Sequence, residues 1–209
     1  AEKNFPLANT YIAANINQTA PALKWLELQV HLLCAHNAIN QAVLVLETVF
    51  QQSQQRTHLQ LLTRLHSQQN NQSAIIILLS SWLTKKPNDT WAAAQLSAIA
   101  ITTNQANIAI KTLENFPGLQ QQPLFLNNLA NLYLEKDLSL AEHYAHQAYQ
   151  LAPNIAAIND TKGWTLVKQQ KFTAGLSYLR EASARNAKNA QYQYHLAFTL
   201  AKLDRNELA

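Results

Sequence analysis

The chain has 209 residues, of which 48% are apolar and only 13% are charged. The net charge is a modest +4 and the longest basic run is Lys85-Lys86, which argues against a nucleic-acid partner. A single cysteine, Cys34, excludes an intrachain disulfide, and no apolar run is long enough to span a membrane. With only three glycines and six prolines, the composition favours helices over turn-rich β folds.

Five helical patterns occupy the first half of the chain. Apolar residues recur at the spacing of an amphipathic helix, and Pro21 favours a helix start because its missing N–H is not needed there. The run at 75–79 also fits a buried strand, but its place in the register and the Pro87 that follows favour a helix. The predicted helices cover residues 7–17, 22–36, 39–51, 56–67 and 74–85.

The second half continues this pattern. Asp89 or Thr90 is suited to cap the next helix, and a later, shorter helix stops at Pro117-Gly118. We therefore predict a hinge at 116–122. Polar turns are predicted at 168–172 and again at 201–205. The predicted helices cover residues 90–103, 108–116, 124–136 and 138–151, with further helices on either side of the turn at 168–172.

Polar turn residues recur at intervals of about 34 residues. They are Asn37, Asn70, Asn104, Asp137, Gln170 and Asp204. Gly163 and Ala197 match at the same offset. A single helix pair cannot bury its apolar face, so each pair stacks on the next. The sequence predicts an all-α, right-handed superhelical solenoid of antiparallel helix pairs. It has a truncated leading helix at 1–21 and about five and a half pairs over 22–209.

One unit of the repeat carries large apolar, small and aromatic residues in a fixed order. They are Leu129, Ala130, Tyr133, Ala141, Ala148 and Pro153. Leu196-Ala197 repeats the start of this order. The pattern resembles the tetratricopeptide repeat (TPR) family, although Lys162 replaces the usual leucine and Ala187 the usual proline. The resemblance covers about 22–209, and it implies a TPR-like α-α superhelix that acts as a non-enzymatic scaffold for protein binding.

A narrower resemblance rests on the segments 159–164, 179–182 and 194–197. They are similar to the C-terminal repeats of TPR lipoproteins associated with exosortase (PEP-CTERM) systems, which accompany exopolysaccharide export in Gram-negative bacteria. Because the chain contains no methionine and ends inside a repeat, we interpret it as a protein fragment. The resemblance then implies a lipoprotein anchor on the missing N-terminus and a location on the periplasmic side of the cell envelope. The cytoplasm is the alternative.

The repeat also predicts where a partner binds, because the first helix of each pair lines the concave face. Side chains of these helices that face neither neighbour are the candidate partner-binding residues. They are Gln95, Asn127, Asn128, Asn131, Asp160, Trp164, Lys168, Tyr194, His195 and Lys202, joined by Trp91 and Phe198. The three asparagines suit a peptide backbone, or they form a solvated amide face. Trp164 either anchors a ligand or packs against the next helix pair.

These residues favour a protein or peptide partner. A carbohydrate-binding module for an exported polysaccharide and a structural spacer or dimeriser are the alternatives. No cofactor and no catalytic group is predicted, because no Ser-His-Asp grouping or carboxylate pair stands out. Glu142, His143 and His146 share a helix, but they lack the spacing of a zinc protease and belong to an outer helix. We therefore predict no metal site.

Overall fold

The computed structural model describes residues 5–15 and 22–207, which form twelve α-helices and one short 3-10 helix, with no β-strand. The all-α prediction is confirmed. The first six helices are α1 (Phe5–Asn15), α2 (Ala22–Ala35), α3 (Ile39–Ser53), α4 (Arg56–Gln68), α5 (Gln72–Lys85) and α6 (Thr90–Thr102). After them come α7 (Ala106–Glu114), the 3-10 helix (Leu119–Gln121), α8 (Pro123–Tyr133), α9 (Leu138–Leu151), α10 (Ala156–Lys168), α11 (Phe172–Arg185) and α12 (Ala190–Glu207).

The helices form two compact units, one ending at Lys86 and the other beginning at Pro87. In the first unit α2 packs on α3 and α4 on α5; in the second, α6 packs on α7, α8 on α9 and α10 on α11. We call the earlier member of each pair the first helix and the later member the second helix. Helix α12, which follows the last pair and packs against α10, is counted as a first helix. The predicted hinge at 116–122 contains the 3-10 helix and Gly118, whose φ of +78° suits glycine. Its role as a hinge stays a prediction.

The core of the first unit is aliphatic. Leu33, Leu46, Val49 and Leu62 are almost fully buried and belong to one cluster. Cys34 is half-buried against this cluster, and burial raises the pKa of its thiol. The protonated thiol therefore packs as a small apolar group at neutral pH.

Small residues bring the helices of the second unit close together. Ala141, Ala145 and Ala148 of α9 are fully buried. Where α10 crosses α11, a Cβ built on Gly163 would lie 2.9 Å from the carbonyl oxygen of Gly175, and one built on Gly175 would lie 2.7 Å from that of Gly163. These distances are shorter than atomic contact allows, so this crossing requires glycine on both helices.

The recurring turn residues end the first helices as predicted. Asn37, Asn70, Asn104 and Gln170 adopt left-handed backbone conformations, with φ of +58°, +54°, +58° and +64°. Asparagine tolerates this conformation better than most residues, so the chain can reverse there. Asp137 acts differently: its Oδ1 accepts hydrogen bonds from the backbone N–H groups of residues 139 and 140 and caps α9.

The structure confirms two further details of the sequence prediction and contradicts a third. The run at 75–79 lies inside α5, so the helical interpretation is confirmed. Asp89 caps α6 through Oδ1, which accepts from the backbone N–H of Ala92. The predicted turn at 201–205 is wrong, because α12 continues through it to Glu207. Alanine, lysine, leucine and arginine favour helix there, and no second helix follows within the described residues. The predicted end of the leading helix at Asn17, and Pro21 after it, lie outside the described residues.

Lys162 is 6% exposed although it carries an ammonium group. Burial is the main reason that its pKa is lowered, and the nearby charge of Glu142 opposes that shift. We expect Lys162→Met to raise the free energy of unfolding by about 1 kcal/mol at neutral pH, because methionine fills a similar volume without a charge to desolvate. Urea denaturation measures the change. As a control, Lys171→Met removes an exposed lysine near the same glutamate and should not stabilise.

The stabilisation should depend on pH. Because the pKa of Lys162 is lower in the folded protein, the unfolded chain binds more protons between the folded and unfolded pKa values. The free energy of unfolding of the wild type therefore rises with pH in that range. The gap between the free energies of unfolding of Lys162→Met and the wild type narrows as a result. A difference that grows in alkaline solution would contradict this account.

Candidate functional site

The candidate site lies in the second unit, where three first helices are neighbours. Helix α10 packs against both α8 and α12. We call the surface that α8, α10 and α12 contribute the first-helix face. Residues four positions apart share one side of a helix, so Asn127 lies beside Asn131 and Asp160 lies beside Trp164. Most of the predicted partner-binding residues are on these three helices.

A buried acid–base pair joins α10 to α12. His195 Nδ1 lies 2.9 Å from Oδ1 and 3.0 Å from Oδ2 of Asp160, and donates a hydrogen bond to this carboxylate. The two residues are only 2% (Asp160) and 6% (His195) exposed. The sequence predicted that both face a ligand, whereas the structure places them beneath the surface, where they hold two helices together. Direct contact of either residue with a partner stays a prediction.

An aromatic cluster covers this pair. The ring of Trp164 stacks on His195 with centroids 4.0 Å apart and meets Phe198 edge-on at 5.4 Å. Tyr194 lies 6.2 Å from Trp164 and is 59% exposed. Lys202 Nζ is 5.4 Å from the centroid of the Phe198 ring, within the range of a cation–π contact. The cluster thus presents the exposed ring of Tyr194, and the Lys202 ammonium lies over the neighbouring Phe198 ring.

An amide cluster on α8 adjoins α10. Asn131 Nδ2 donates to the carbonyl oxygen of Asn127 at 3.1 Å and to Thr161 Oγ1 at 3.0 Å. Asn127 is 7% exposed, and its Oδ1 has no hydrogen-bond partner among the described residues. Because this oxygen is itself buried, it can accept a hydrogen bond from a bound N–H group only when the Asn127 side chain turns toward the surface. Asn128 is half-buried beside it. Nothing in the sequence pattern had marked Thr161.

Two other predicted residues stand apart from these clusters. Gln95 is exposed on α6, and within the described residues no hydrogen bond or ring contact joins it to α10 or α12. Lys168 Nζ lies 2.6 Å from Glu135 Oε1, in a largely exposed ion pair. Lys168 and Lys202 occupy equivalent positions of the repeat, but Lys168 pairs with a carboxylate and Lys202 with the Phe198 ring. An exposed ion pair contributes little to stability, so Lys168 can exchange Glu135 for a ligand carboxylate at small cost.

Polar contacts around the second helices were not apparent from the sequence. Tyr133 and Tyr144 stack with centroids 5.8 Å apart, and their hydroxyl groups donate to Glu114 Oε1 at 2.6 and 3.3 Å. The hydrogen bond to this carboxylate raises the pKa of Tyr133 to about 12. These contacts join side chains 19 and 30 positions apart in the chain. The local periodicity of the sequence does not encode such pairs.

Glu142 is already engaged. It accepts a hydrogen bond from Gln169 Nε2 at 2.8 Å, which lowers its pKa, and Lys171 Nζ lies 3.6 Å from the same carboxylate oxygen. In the part of the chain that the structure describes, no group of three His, Cys, Asp or Glu side chains is placed to hold a metal ion. Among the same residues, no helix has the length and apolarity needed to cross a bilayer.

Comparison with known proteins bears on the fold. No protein-family model matches the sequence, and no curated protein matches it. Among solved structures, the chain is similar to MamA at 13% identity and a TM-score of 0.62, over 81% of this chain and 94% of MamA. It is similar to YrrB, described as a TPR protein with an unusual peptide-binding site, at 14% identity and a TM-score of 0.60, over 76% of this chain and 84% of YrrB.

A third similar structure is TTC0263, a thermophilic TPR protein of Thermus thermophilus. It matches at 15% identity and a TM-score of 0.55, over 84% of this chain and 97% of TTC0263. At such identities the likeness shows the fold alone. The predicted TPR-like, all-α fold of packed helix pairs is therefore confirmed. The narrower resemblance to exosortase-associated lipoproteins stays a prediction.

Proposed function

We propose that this TPR-fold chain is a non-enzymatic scaffold that binds a peptide segment of another protein on the first-helix face. The observation that carries the proposal is the combination of an exposed ring on α12 with an unsatisfied amide oxygen on α8, the two helices that flank α10. Tyr194 is 59% exposed, and Asn127 Oδ1 is buried without a hydrogen-bond partner among the described residues. The description of YrrB as a TPR protein with a peptide-binding site adds support at the level of the fold.

Each group on this face suits one part of a peptide. Asn127 and Asn128 can exchange hydrogen bonds with a backbone that runs across α8. The rings of Trp164 and Tyr194 offer apolar area that loses little conformational entropy on binding. The Lys202 ammonium, which lies over the Phe198 ring, can meet a carboxylate. The buried pair beneath them keeps the rings in place, so the surface is ordered before a partner arrives.

The test is a double variant, Asn128→Ala with Tyr194→Ala. Asn128 is half-buried and Tyr194 is exposed, so both changes should leave the fold intact. We expect partner affinity to fall at least tenfold, because truncating one exposed aromatic anchor and one amide removes contacts of hot-spot type. An affinity pull-down from solubilised bacterial envelope, read by mass spectrometry, supplies the partner, and calorimetry with that partner then measures the loss.

The matched control carries two changes on second helices of the same unit, Leu151→Ala with Thr173→Ala. Both residues are exposed. A partner retained by the wild type and by this control, and lost by the Asn128/Tyr194 variant, supports the proposal. Equal recovery by all three proteins would place the interface elsewhere. Tryptophan quenching by oligosaccharides, combined with recovery of no protein, would favour the carbohydrate-binding alternative.

We also propose that the scaffold works on the periplasmic side of a bacterial envelope, in an exopolysaccharide-export assembly. The support is the sequence resemblance of the segments 159–164, 179–182 and 194–197 to exosortase-associated lipoproteins. Fractionation of the native cells, followed by immunodetection of this chain, tests the location. Recovery with the envelope fraction is expected, and recovery in the cytoplasmic fraction would contradict it.

A further inference from the structure

A cavity of about 480 Å³ lies in the first unit, whereas the first-helix face belongs to the second. It opens between the second helices α3 and α5, and α4 forms its floor through Leu62 and His66. The rings of Phe50 and Trp82, 5.9 Å apart, close one side. Ile77 forms a wall and is 70% exposed. The volume is in the range of pockets that bind ligands.

In the first unit the ring contact between α3 and α5 involves Trp82, whereas in the second unit the equivalent contact lies one turn earlier on the later helix. There Tyr149 of α9 meets Tyr178 of α11 edge-to-face, with ring centroids 5.1 Å apart. Tyr149 and Phe50 occupy the same position when each is counted from the start of its helix, and so do Tyr178 and Leu78. Both Phe50 and Leu78 line the cavity. The first unit therefore has leucine where the second has a tyrosine that contacts the preceding second helix.

The two ends of the cavity carry opposite charges. At one end Lys85 Nζ donates to Gln54 Oε1 at 3.3 Å, and its ammonium remains exposed. At the other end Glu47 Oε1 lies 3.9 Å from His66 Nε2, and the glutamate side chain is about half exposed. Glu47 precedes Gln54 by two turns of α3, which is about 10 Å. An occupant is thus offered an acidic end, an apolar middle and a basic end.

We propose that this cavity is a second binding site, which takes an extended peptide segment whose first, third and fifth residues are basic, large apolar and acidic. Alternate side chains of an extended chain point to the same side, so all three face the cavity. Charge complementarity sets the pattern: the basic side chain meets Glu47 and the acidic side chain meets Lys85. In an extended chain, residues four apart are separated by about 13 Å. The flexible basic and acidic side chains can adjust this span to the cavity, where Glu47 and Gln54 are about 10 Å apart along α3. The apolar residue between them lies against Phe50, Leu78 and Trp82.

The test uses four acetylated and amidated pentapeptides in isothermal titration calorimetry. They are Lys-Ser-Phe-Ser-Glu, the same peptide with glutamine replacing lysine, the same peptide with glutamine replacing glutamate, and the peptide with both replacements. Lys85→Gln should weaken binding of the peptides that contain glutamate by about two- to fivefold, and leave the others unchanged. Glu47→Gln should do the same only for peptides that contain lysine. Because each variant removes the partner of only one peptide charge, the pattern of affinity losses shows which cavity residue contacts which peptide residue.

A third variant, Leu78→Tyr, places in the cavity the ring found at the same position in the second unit, and should lower the affinity for every peptide at least tenfold. Leu44→Tyr is the matched control, since Leu44 is 66% exposed on α3 outside the cavity lining. Circular dichroism confirms that both variants fold. The proposal is overturned if Leu78→Tyr binds like the wild type, if the charge variants affect all four peptides equally, or if no peptide binds at millimolar concentration.

Discussion

Replacing Gly163 with alanine should lower the free energy of unfolding of the second unit by about 2–3 kcal/mol. The new methyl group would lie 2.7 Å from Leu179 Cγ and 2.9 Å from the backbone oxygen of Gly175. Neither atom is the free end of a flexible side chain, so α10 and α11 must move apart. Alanine favours helix over glycine by about 1 kcal/mol, and the expected loss appears in spite of that gain.

Two controls separate steric contact from backbone strain. Ala197 occupies the same repeat position as Gly163 but is exposed on α12, so Ala197→Leu should change stability by less than about 0.5 kcal/mol. Gly118 has open space around its Cα and a φ of +78°, so Gly118→Ala should lose only about 1 kcal/mol, through the backbone. Urea denaturation followed by circular dichroism measures all three. A Gly163→Ala variant as stable as the wild type would show that the helices do not cross this closely.

Replacing His195 with leucine should destabilise the second unit by about 2–4 kcal/mol. The change leaves Asp160, which is 2% exposed, without the donor that bonds both of its oxygens. It also removes the ring on which Trp164 stacks. Adding Asp160→Asn to the same variant should recover part of the loss, because a neutral amide is less costly to bury unpaired than a carboxylate.

The double-mutant cycle of Asp160→Asn and His195→Leu measures the coupling between the two side chains. His58 serves as the control, because its Nε2 lies 3.3 Å from Glu27 Oε1 in a pair that is more exposed. His58→Leu should lose no more than about 1 kcal/mol. If the changes in the free energy of unfolding of the two single variants add up to that of the double variant, Asp160 and His195 do not stabilise one another. The first-helix face is then held by its apolar contacts alone.

These two predictions rest on contacts that the sequence revealed only in part. The match of Gly163 to the small position of the repeat was visible in the sequence, but its contact with Gly175 was not. Asp160 and His195 were both selected as candidate residues because of their helix and register. Their separation of 35 positions gave no sign that they bond to each other beneath the surface. Register identifies the side of a helix on which a residue lies, and burial depends on what packs against that side.

What the sequence determined by itself is local and periodic. The recurring Asn37, Asn70 and Asn104 end their helices because the left-handed conformation is a property of the single residue. The apolar spacing of each segment sets which side of its helix is buried. Because these signals repeat about every 34 residues, the number and pairing of the helices follow from them without tertiary information.

The tertiary structure decided what depends on contacts between distant residues. The bond between His195 and Asp160, the unsatisfied oxygen of Asn127 and the cavity beside Leu78 each arise where two or three helices meet. The predicted turn at 201–205 failed for the same reason, because intrinsic helix preference prevails where no following helix packs back within the described residues. Local signals specify where each helix begins and ends and which of its sides is buried. The packing of the helices against one another decides which polar groups of their surfaces are paired, exposed or buried.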